Sequence, residues 1–595
     1  MFRMRGHWWF DSGIAGLYFI ANSLLGATNP DSDEPRWPDV SLEVTREGVL
    51  IDTADEGKLK AFLEACYEKL ASTWWNQSTS QQMEKKELVL YDKERDEFYS
   101  GPKRMPTPVA GLSTSARSWR ADGILYKDMD QSLRVRCDEF LEREKKILWT
   151  DNRKLIYAQP VCHPKLDILP QKGKIKVCSI CGQHMVCGDV DQTTFPLFSS
   201  KNATFSFNSS YGTPDVICWE CGMLGKFAVH AAQYKAASPY THIMQLNSED
   251  MEVLAKAHEW MGCASPLRGY DPATIYFSNF DDQKRKILQN ARLPYEVLWG
   301  FYTAAYELLR EHKKERQSQE EDFEDEEISL EKLEKTASLG VVLMSLETKG
   351  QTFVTKEIVQ YNDTTYVFRL IDHLKREADR ERKDKKVFFS ADESASFLES
   401  LFKDFYVQLI PQKSFDPANG LYRNEILRKV FKKSSILLDV ESFVLKKSLI
   451  VDYPYLERIL FFTKLYEMVI HCRDVDNGEG SGMTKEQVET ATKLGAQIVL
   501  SAKDILKDEK GNVDLKPVKG DLFALRKTRT VKDFLEQLNR LQFRYGIILN
   551  KEIVSGVMEE PDVDFEEFKA YCMISAMNVY NGTMRPHSVK QEKDV

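Results

Sequence analysis

At 595 residues, with 42% hydrophobic and 29% charged side chains, the chain is long enough for several domains and has the make-up of neither a disordered nor a membrane protein. A formal net charge of −9 excludes a uniformly basic nucleic-acid coat but leaves room for local basic surfaces. Eleven cysteines, an odd and sparse set, do not make a disulfide scaffold; they suit a reducing, cytoplasmic setting.

The N-terminal run MFRMRGHWWFDSGIAGLYFIANSLLGA places Arg3 and Arg5 ahead of apolar residues, as a secretory signal would. Asp11 at its mouth and Asn22-Ser23 within it argue instead for a buried helix over about 11–25, and the run is too short for a membrane span. SLEVTREGVLID alternates like a strand or hairpin, and DEGKLKAFLEACYEKLASTWW has apolar residues at helical spacing. DQSLRVRCDEFLEREKKILW is a further helix.

SEDMEVLAKAHEWMG reads as a helix opened by Ser248, and 293–316 continues the helical character. Residues 311–335 are strongly acidic and read as a solvated helix end and linker. QTFVTKEIVQYNDTTYVFRL reads as a strand pair around Asn362-Asp363. Beyond about 395 nearly everything is helical. The expected fold class is therefore α+β. A mixed N-terminal domain (1–160) carries an inserted four-cysteine module (161–240). A helix-rich middle (241–400) and a mostly α-helical C-terminal bundle (401–595) follow.

CSICG and CWECG are the strongest local motif. Each C-x-x-C turns two sulfurs toward one ion, and the glycine after each pair permits a tight turn. Cys178, Cys181, Cys218 and Cys221 complete a tetrahedral thiolate site for structural Zn2+, closed to catalysis because no coordination position is left open. Cys162, His163, His184 and Cys187 lie nearby as substitutes, and a redox dithiol is the rival reading. The 36 residues between the pairs exceed what a minimal ribbon needs.

That insertion holds SSKNATFSFNSSYG. Its Lys201, Asn202, Asn208, Ser209 and Tyr211 can hydrogen-bond base edges or phosphates, and turn-forming surface loops have the same composition. Three basic clusters stand out against the acidic total. Lys103, Arg104, Arg117 and Arg120 lie on a Pro/Gly/Ser-rich loop. Arg428, Lys432 and Lys433 follow later. The third cluster holds Lys516, Lys519, Arg526, Lys527, Arg529, Lys532, Arg540 and Arg544. On a helix over 530–544, Lys532, Arg540 and Arg544 share a face while Leu535, Leu538 and Leu541 point inward. A row of cations along a helix can track a phosphate backbone, although most charge runs are simply solvated faces. Phosphate-loop, zinc-protease and nucleophile-elbow motifs are missing from the sequence, which favours a binding protein over an enzyme.

The order of features resembles a known family. GHWWFDSGIAGL near the start, the pair of C-x-x-C-G knuckles, a long helical half and the late basic segment KGDLFALRKTRTVKDFLEQLNRLQFRYG together resemble the large subunit of type I-B CRISPR Cascade complexes, in the subfamily that carries a zinc finger. The resemblance implies a non-catalytic subunit. Its partners would be guide RNA, target double-stranded DNA, the backbone and small subunits of the complex, and a helicase-nuclease or transposition proteins. It would read the motif flanking the target, help open the duplex and stabilise the R-loop. Loops 103–120 and 201–211 then become candidates for motif and duplex contacts, and Arg526 to Lys532 for single-stranded DNA. The second hypothesis is a zinc-ribbon DNA- or RNA-binding accessory protein outside CRISPR.

NGEGSGM (477–483) interrupts the helical half. Some I-B systems make a small subunit from a start codon inside the large-subunit gene, and Met483 would begin such a product, 483–595. Gly478-Glu479-Gly480 is encoded GGN-GAR-GGN, which can spell a ribosome-binding sequence. The plain alternative is a Gly/Ser linker.

Overall fold

The computed structural model describes residues 1–26, 28–29, 32–76, 89–92, 97–100, 105–107, 123–144, 155–157, 167–189, 216–237, 240–260, 270–271, 276–277, 291–303, 305–306, 339–349, 352–383, 417–448, 456–470, 483–509, 513–549 and 564–584. They are mixed helix and sheet and divide into two compact units, Met1–Thr365 and Tyr366–Val595.

In the first unit, β1 (Phe2–Arg3) joins the edge of the hairpin β2 (Val40–Thr45) and β3 (Gly48–Thr53), in the order β1-β3-β2. The helix α1 (Trp8–Leu25) is apolar almost all round and is buried almost all round, Trp9, Phe10, Ile14 and Leu17 completely. Such a helix belongs inside a protein or a bilayer; this one lies in the protein. No helix among the described residues is long and apolar enough to cross a membrane.

Helices α2 (Glu56–Thr73) and α3 (Gln131–Arg143) follow where their apolar spacing places them. Further along the chain, three short strands, β4 (Ile175–Val177), β5 (His184–Asp189) and β6 (Val216–Cys218), form one sheet in the order β4-β5-β6. The chain turns from β6 straight into α4 (Trp219–Ala231).

Strands β7 (Gln233–Ala237) and β8 (Tyr240–Ser248) belong to a six-stranded sheet, ordered 270–271, 276–277, β7, β8, β9 (Leu339–Lys349), β10 (Thr352–Tyr361). Between β8 and β9, α5 (Met251–Trp260) packs on β8, and residues 294–303 are helical. The expected cap Ser248 is displaced by Asp250, whose carboxylate accepts the N–H groups of Glu252 and Val253 while Ser248 Oγ accepts that of Asp250. Asn362-Asp363 is not a hairpin turn either. The hairpin closes at Lys349/Thr352, and α6 (Thr364–Lys383) begins right after Asn362-Asp363. The β-branched residues of TTYVF suggest a strand, but Val367, Phe368, Leu370 and Ile371 are buried at helical spacing. The 311–335 linker lies outside the described residues.

The second unit is mainly helical in its described residues: most of α6, then α7 (Pro417–Phe431), α8 (Leu437–Ser448), α9 (Leu456–Ile470), α10 (Lys485–Ile505), α11 (Lys516–Arg526), α12 (Val531–Tyr545) and α13 (Phe565–Met584), with one β-bridge between Lys507 and Val513. The most extensive packing joins α10 to α13, with α8 and α9 also against α13. At the crossing, a Cβ added to Gly495 would stand 2.0 Å from the Cys572 carbonyl oxygen, so only glycine lets the backbones meet. Thr484 caps α10 in a reciprocal capping box: its hydroxyl accepts the Gln487 N–H, and Gln487 Oε1 accepts the Thr484 N–H. Met483 and Val488 flank the box and are both buried, at the positions of a hydrophobic staple. Residues 477–482 lie outside the described residues.

Candidate metal centre and basic surfaces

The first knuckle is a hairpin end. β4 delivers Cys178, the Gly182 N–H returns to the Cys178 carbonyl at 2.9 Å, and β5 leaves antiparallel with Val177 opposite His184. Gly182 has φ +70°, the left-handed turn expected of it. The second knuckle is built differently. Cys218 ends β6 and is the N-cap of α4, its sulfur accepting the Cys221 N–H at 3.4 Å. Gly222 therefore lies inside the helix and makes no turn, contrary to expectation. A helix N-terminus aimed at sulfur favours thiolate through its free N–H groups and dipole.

The two knuckles are stitched by backbone. Ser179 N–H donates to the Val216 carbonyl at 2.9 Å, and Cys218 N–H to Cys178 Sγ at 3.3 Å. The sulfurs of Cys178, Cys181, Cys218 and Cys221 all lie within 4.8 Å of one another, Cys181 and Cys218 at 3.8 Å. A tetrahedral ion with bonds of about 2.3 Å to sulfur separates its ligands by about 3.8 Å, so the set fits one. Cys187 is near but turned away, its Sγ on the Lys176 carbonyl, and His184 is exposed. Cys162 and His163 lie outside the described residues. Packed together, the thiols share charge unevenly. Hydrogen bonds from Cys218 and Cys221 pull Cys178 far down, and donating to Cys178 pushes Cys218 and Cys221 far up. Four thiolates at these separations would repel one another, and a cation held between them would relieve that repulsion.

The surroundings supply a further charge that the sequence reading missed. The Arg5 side chain is 6% exposed and pairs with Glu220, the third residue of CWEC. Burial pulls its guanidinium down, but Cys221, Glu220, Cys181 and Cys218 outweigh that and hold it above its ordinary value. Arg5 is fixed by the start of α1. Asp11 accepts the N–H groups of Arg5 at 2.5 Å and His7 at 2.9 Å, and His7 Nδ1 accepts the Trp9 N–H at 3.2 Å. Burial lowers His7 to about 4, which keeps that nitrogen free to accept, and raises Asp11 to about 6 against the pull of those N–H groups.

Helix α1 also lies directly on α4. Trp9 Nε1 donates to the Gly225 carbonyl at 3.0 Å, and Cβ atoms added at Gly13 and Gly16 would stand 2.0 and 2.2 Å from the carbonyl oxygens of Leu224 and Phe227. GHWWFDSGIAGL and CWECG, some two hundred residues apart in the chain, are thus two halves of one packed object.

Lys103, Arg104, Arg117, Arg120, Lys201, Asn202, Asn208, Ser209 and Tyr211 lie outside the described residues. In the helical unit the cations divide. Arg526 is engaged: its guanidinium grips Glu441 at 2.6 and 3.0 Å, joining α11 to α8. Arg544 grips Asp521 at 2.9 Å through both carboxylate oxygens. Arg428 pairs with Glu425, and Lys433 stands 4.7 Å over the Tyr366 ring. Lys432, Lys527, Arg529, Lys532 and Arg540 are exposed. Phe534, Leu538, Leu541 and Tyr545 form the buried face of α12, and Leu535 is half-buried. Phe543, 89% exposed, stands beside Arg540 and Arg544 on the outer side, an aromatic the sequence reading passed over.

No protein-family model and no curated protein matches the chain.

Proposed function

We propose that this chain is a non-catalytic, cytoplasmic large subunit of a guide-RNA-directed DNA-surveillance complex, stabilised by structural Zn2+ on Cys178, Cys181, Cys218 and Cys221. In this reading it recognises the motif flanking the target, helps open the duplex and recruits a helicase-nuclease. Base pairing by the guide reads the sequence, and the protein supplies motif and backbone contacts. The exposed cations Lys527, Arg529, Lys532 and Arg540, with Phe543 as a stacking surface, suit an opened single strand.

The observation that carries the reading is the packing of α1 on α4. The two sequence motifs on which the family resemblance rests meet through Gly13, Gly16, Trp9 and the Arg5–Glu220 pair. A resemblance whose separate parts form one structural unit is stronger than two isolated matches.

The test expresses the chain from its native coding DNA with a C-terminal tag, then takes the intact mass and extracts the nucleic acid of everything captured. Small RNA of uniform length, bound with further subunits, is the expected result. Duplex binding without any such RNA would favour a zinc-ribbon accessory protein outside CRISPR. The same mass spectrum tests an internal start: a species beginning at Met483 makes 483–595 a separate small subunit. Full-length chain alone leaves Met483 with its packing role at the head of α10.

A further inference from the structure

The basic clusters of the sequence all lie outside the metal module, yet the module has one of its own. Between Pro170 and Gly188 the chain carries Lys172, Lys174, Lys176 and His184 and no carboxylate. Strand β4 is the outer strand of its sheet, paired on one side with β5. All three of its residues are exposed, Ile175 at 69% and Val177 at 50%. The two-residue period of a strand puts Lys174 and Lys176 on one face and Ile175 and Val177 on the other, with Lys172 in the bend that leads in. At about 3.3 Å per residue Lys174 and Lys176 stand about 7 Å apart. That separation corresponds to about two phosphates of one strand at about 3.4 Å of helix axis each. No ion pair engages the three ammonium groups among the described residues.

The ribbon is held stiff at its base. β4 runs directly into the ligand Cys178, the Cys187 N–H donates to the Lys174 carbonyl at 3.2 Å, and Gly173 packs on Val186. Edge lysines ordinarily block pairing between sheets. That role accounts for the cations but not for two large β-branched side chains left bare on the same strand. The outer two strands of this three-stranded sheet, cationic on one face and aliphatic on the other, have the width and chemistry to enter a major groove.

We propose that the β4–β5 ribbon is a duplex-DNA contact, with Lys172, Lys174 and Lys176 on the phosphate backbone beside the target. The inference rests on the nucleic-acid reading above and assigns its duplex contact to the metal module.

The test uses the full-length chain with whatever co-purifies, a labelled duplex and a salt series. It compares wild type with K172Q/K174Q/K176Q and K172R/K174R/K176R. The glutamine variant should bind at least tenfold more weakly at 0.1 M salt, with the logarithmic salt slope smaller by up to about 3, while metal content and melting temperature stay unchanged. The arginine variant should bind like wild type. Unchanged affinity and slope in the glutamine variant, with wild type binding duplex, would overturn this inference and leave the proposed function standing. Unchanged duplex binding with lost subunit assembly would also overturn it and make the ribbon a protein interface. Wild type that binds no duplex, alone or with its co-purifying partners, would overturn both.

Discussion

Arg5 is a cation removed from water beside a cluster that carries net negative charge once four thiolates hold one divalent ion. Replacing it with methionine keeps its bulk and removes the compensating charge, so metal should leave faster. We expect Arg5→Met to release metal to a colorimetric chelator roughly tenfold faster, an outer-sphere effect of ordinary size; an unchanged release rate would reduce Arg5 to packing. Arg526 and Arg540 test a different distinction within one basic cluster. Arg526→Ala leaves Glu441 buried without its partner and should cost about 2 kcal/mol in denaturant unfolding. Arg540→Ala should leave stability within about 0.5 kcal/mol and act, if on nucleic acid, through the salt slope. Equal stability losses in the two variants would contradict this division. The sequence shows cations but not their carboxylates, because Glu441 is 85 residues from Arg526.

Elements were legible where a period or cap is local. α1, α2, the β2–β3 hairpin and α12 fall where apolar spacing puts them. The start of α6 was not, because its β-branched residues favour a strand until buried contacts on the other side outweigh propensity. The capping box Thr484–Gln487 was readable and was overlooked beside the glycines before it. Strand pairs in the six-stranded sheet bury His242, whose Nε2 lies 2.7 Å from the Arg292 carbonyl and whose Nδ1 lies 2.8 Å from Ser345 Oγ. The carbonyl can only accept, so Nε2 carries a hydrogen. Burial lowers His242 and His230 to about 4 and His258 to about 3. Below 6.5 the unfolded chain takes up protons that the folded one refuses. These histidines therefore contribute stability that is present above pH 6.5 and is lost as pH falls toward 4. For His242 alone the loss reaches up to about 3 kcal/mol. Unfolding free energies between pH 4 and 7 should show a smaller slope in His242→Gln; an identical slope would mean the ring titrates normally.

For the whole molecule, the ligand set was written plainly in the sequence because C-x-x-C is a local device. The unlike construction of its two knuckles was not, since CSICG and CWECG look alike while one ends a hairpin and the other opens a helix. Cys178→Ser should lose bound metal and much of the first unit's stability, because the ion's binding energy is folding energy; metal analysis beside a melting curve checks both. Full metal content and an unshifted melt in the serine variant would remove the four-cysteine assignment. Packing between distant segments was the least legible feature. Gly13→Ala inserts one carbon against the Leu224 carbonyl and should cost ~3 kcal/mol, measured by denaturant unfolding, although a single-residue propensity argument predicts a gain.

The contact of α1 with α4 also limits how this protein can be recombined. A four-cysteine module exchanged at its apparent borders, from the first knuckle to the second, would bring a new α4 to an old α1. The donor's side chains would meet Gly13 and Gly16, and its third knuckle residue would meet Arg5. A chimera has to carry residues 5–16 and 216–231 from the same parent. In the gene, these two stretches behave as a single inherited piece with some two hundred codons between its halves.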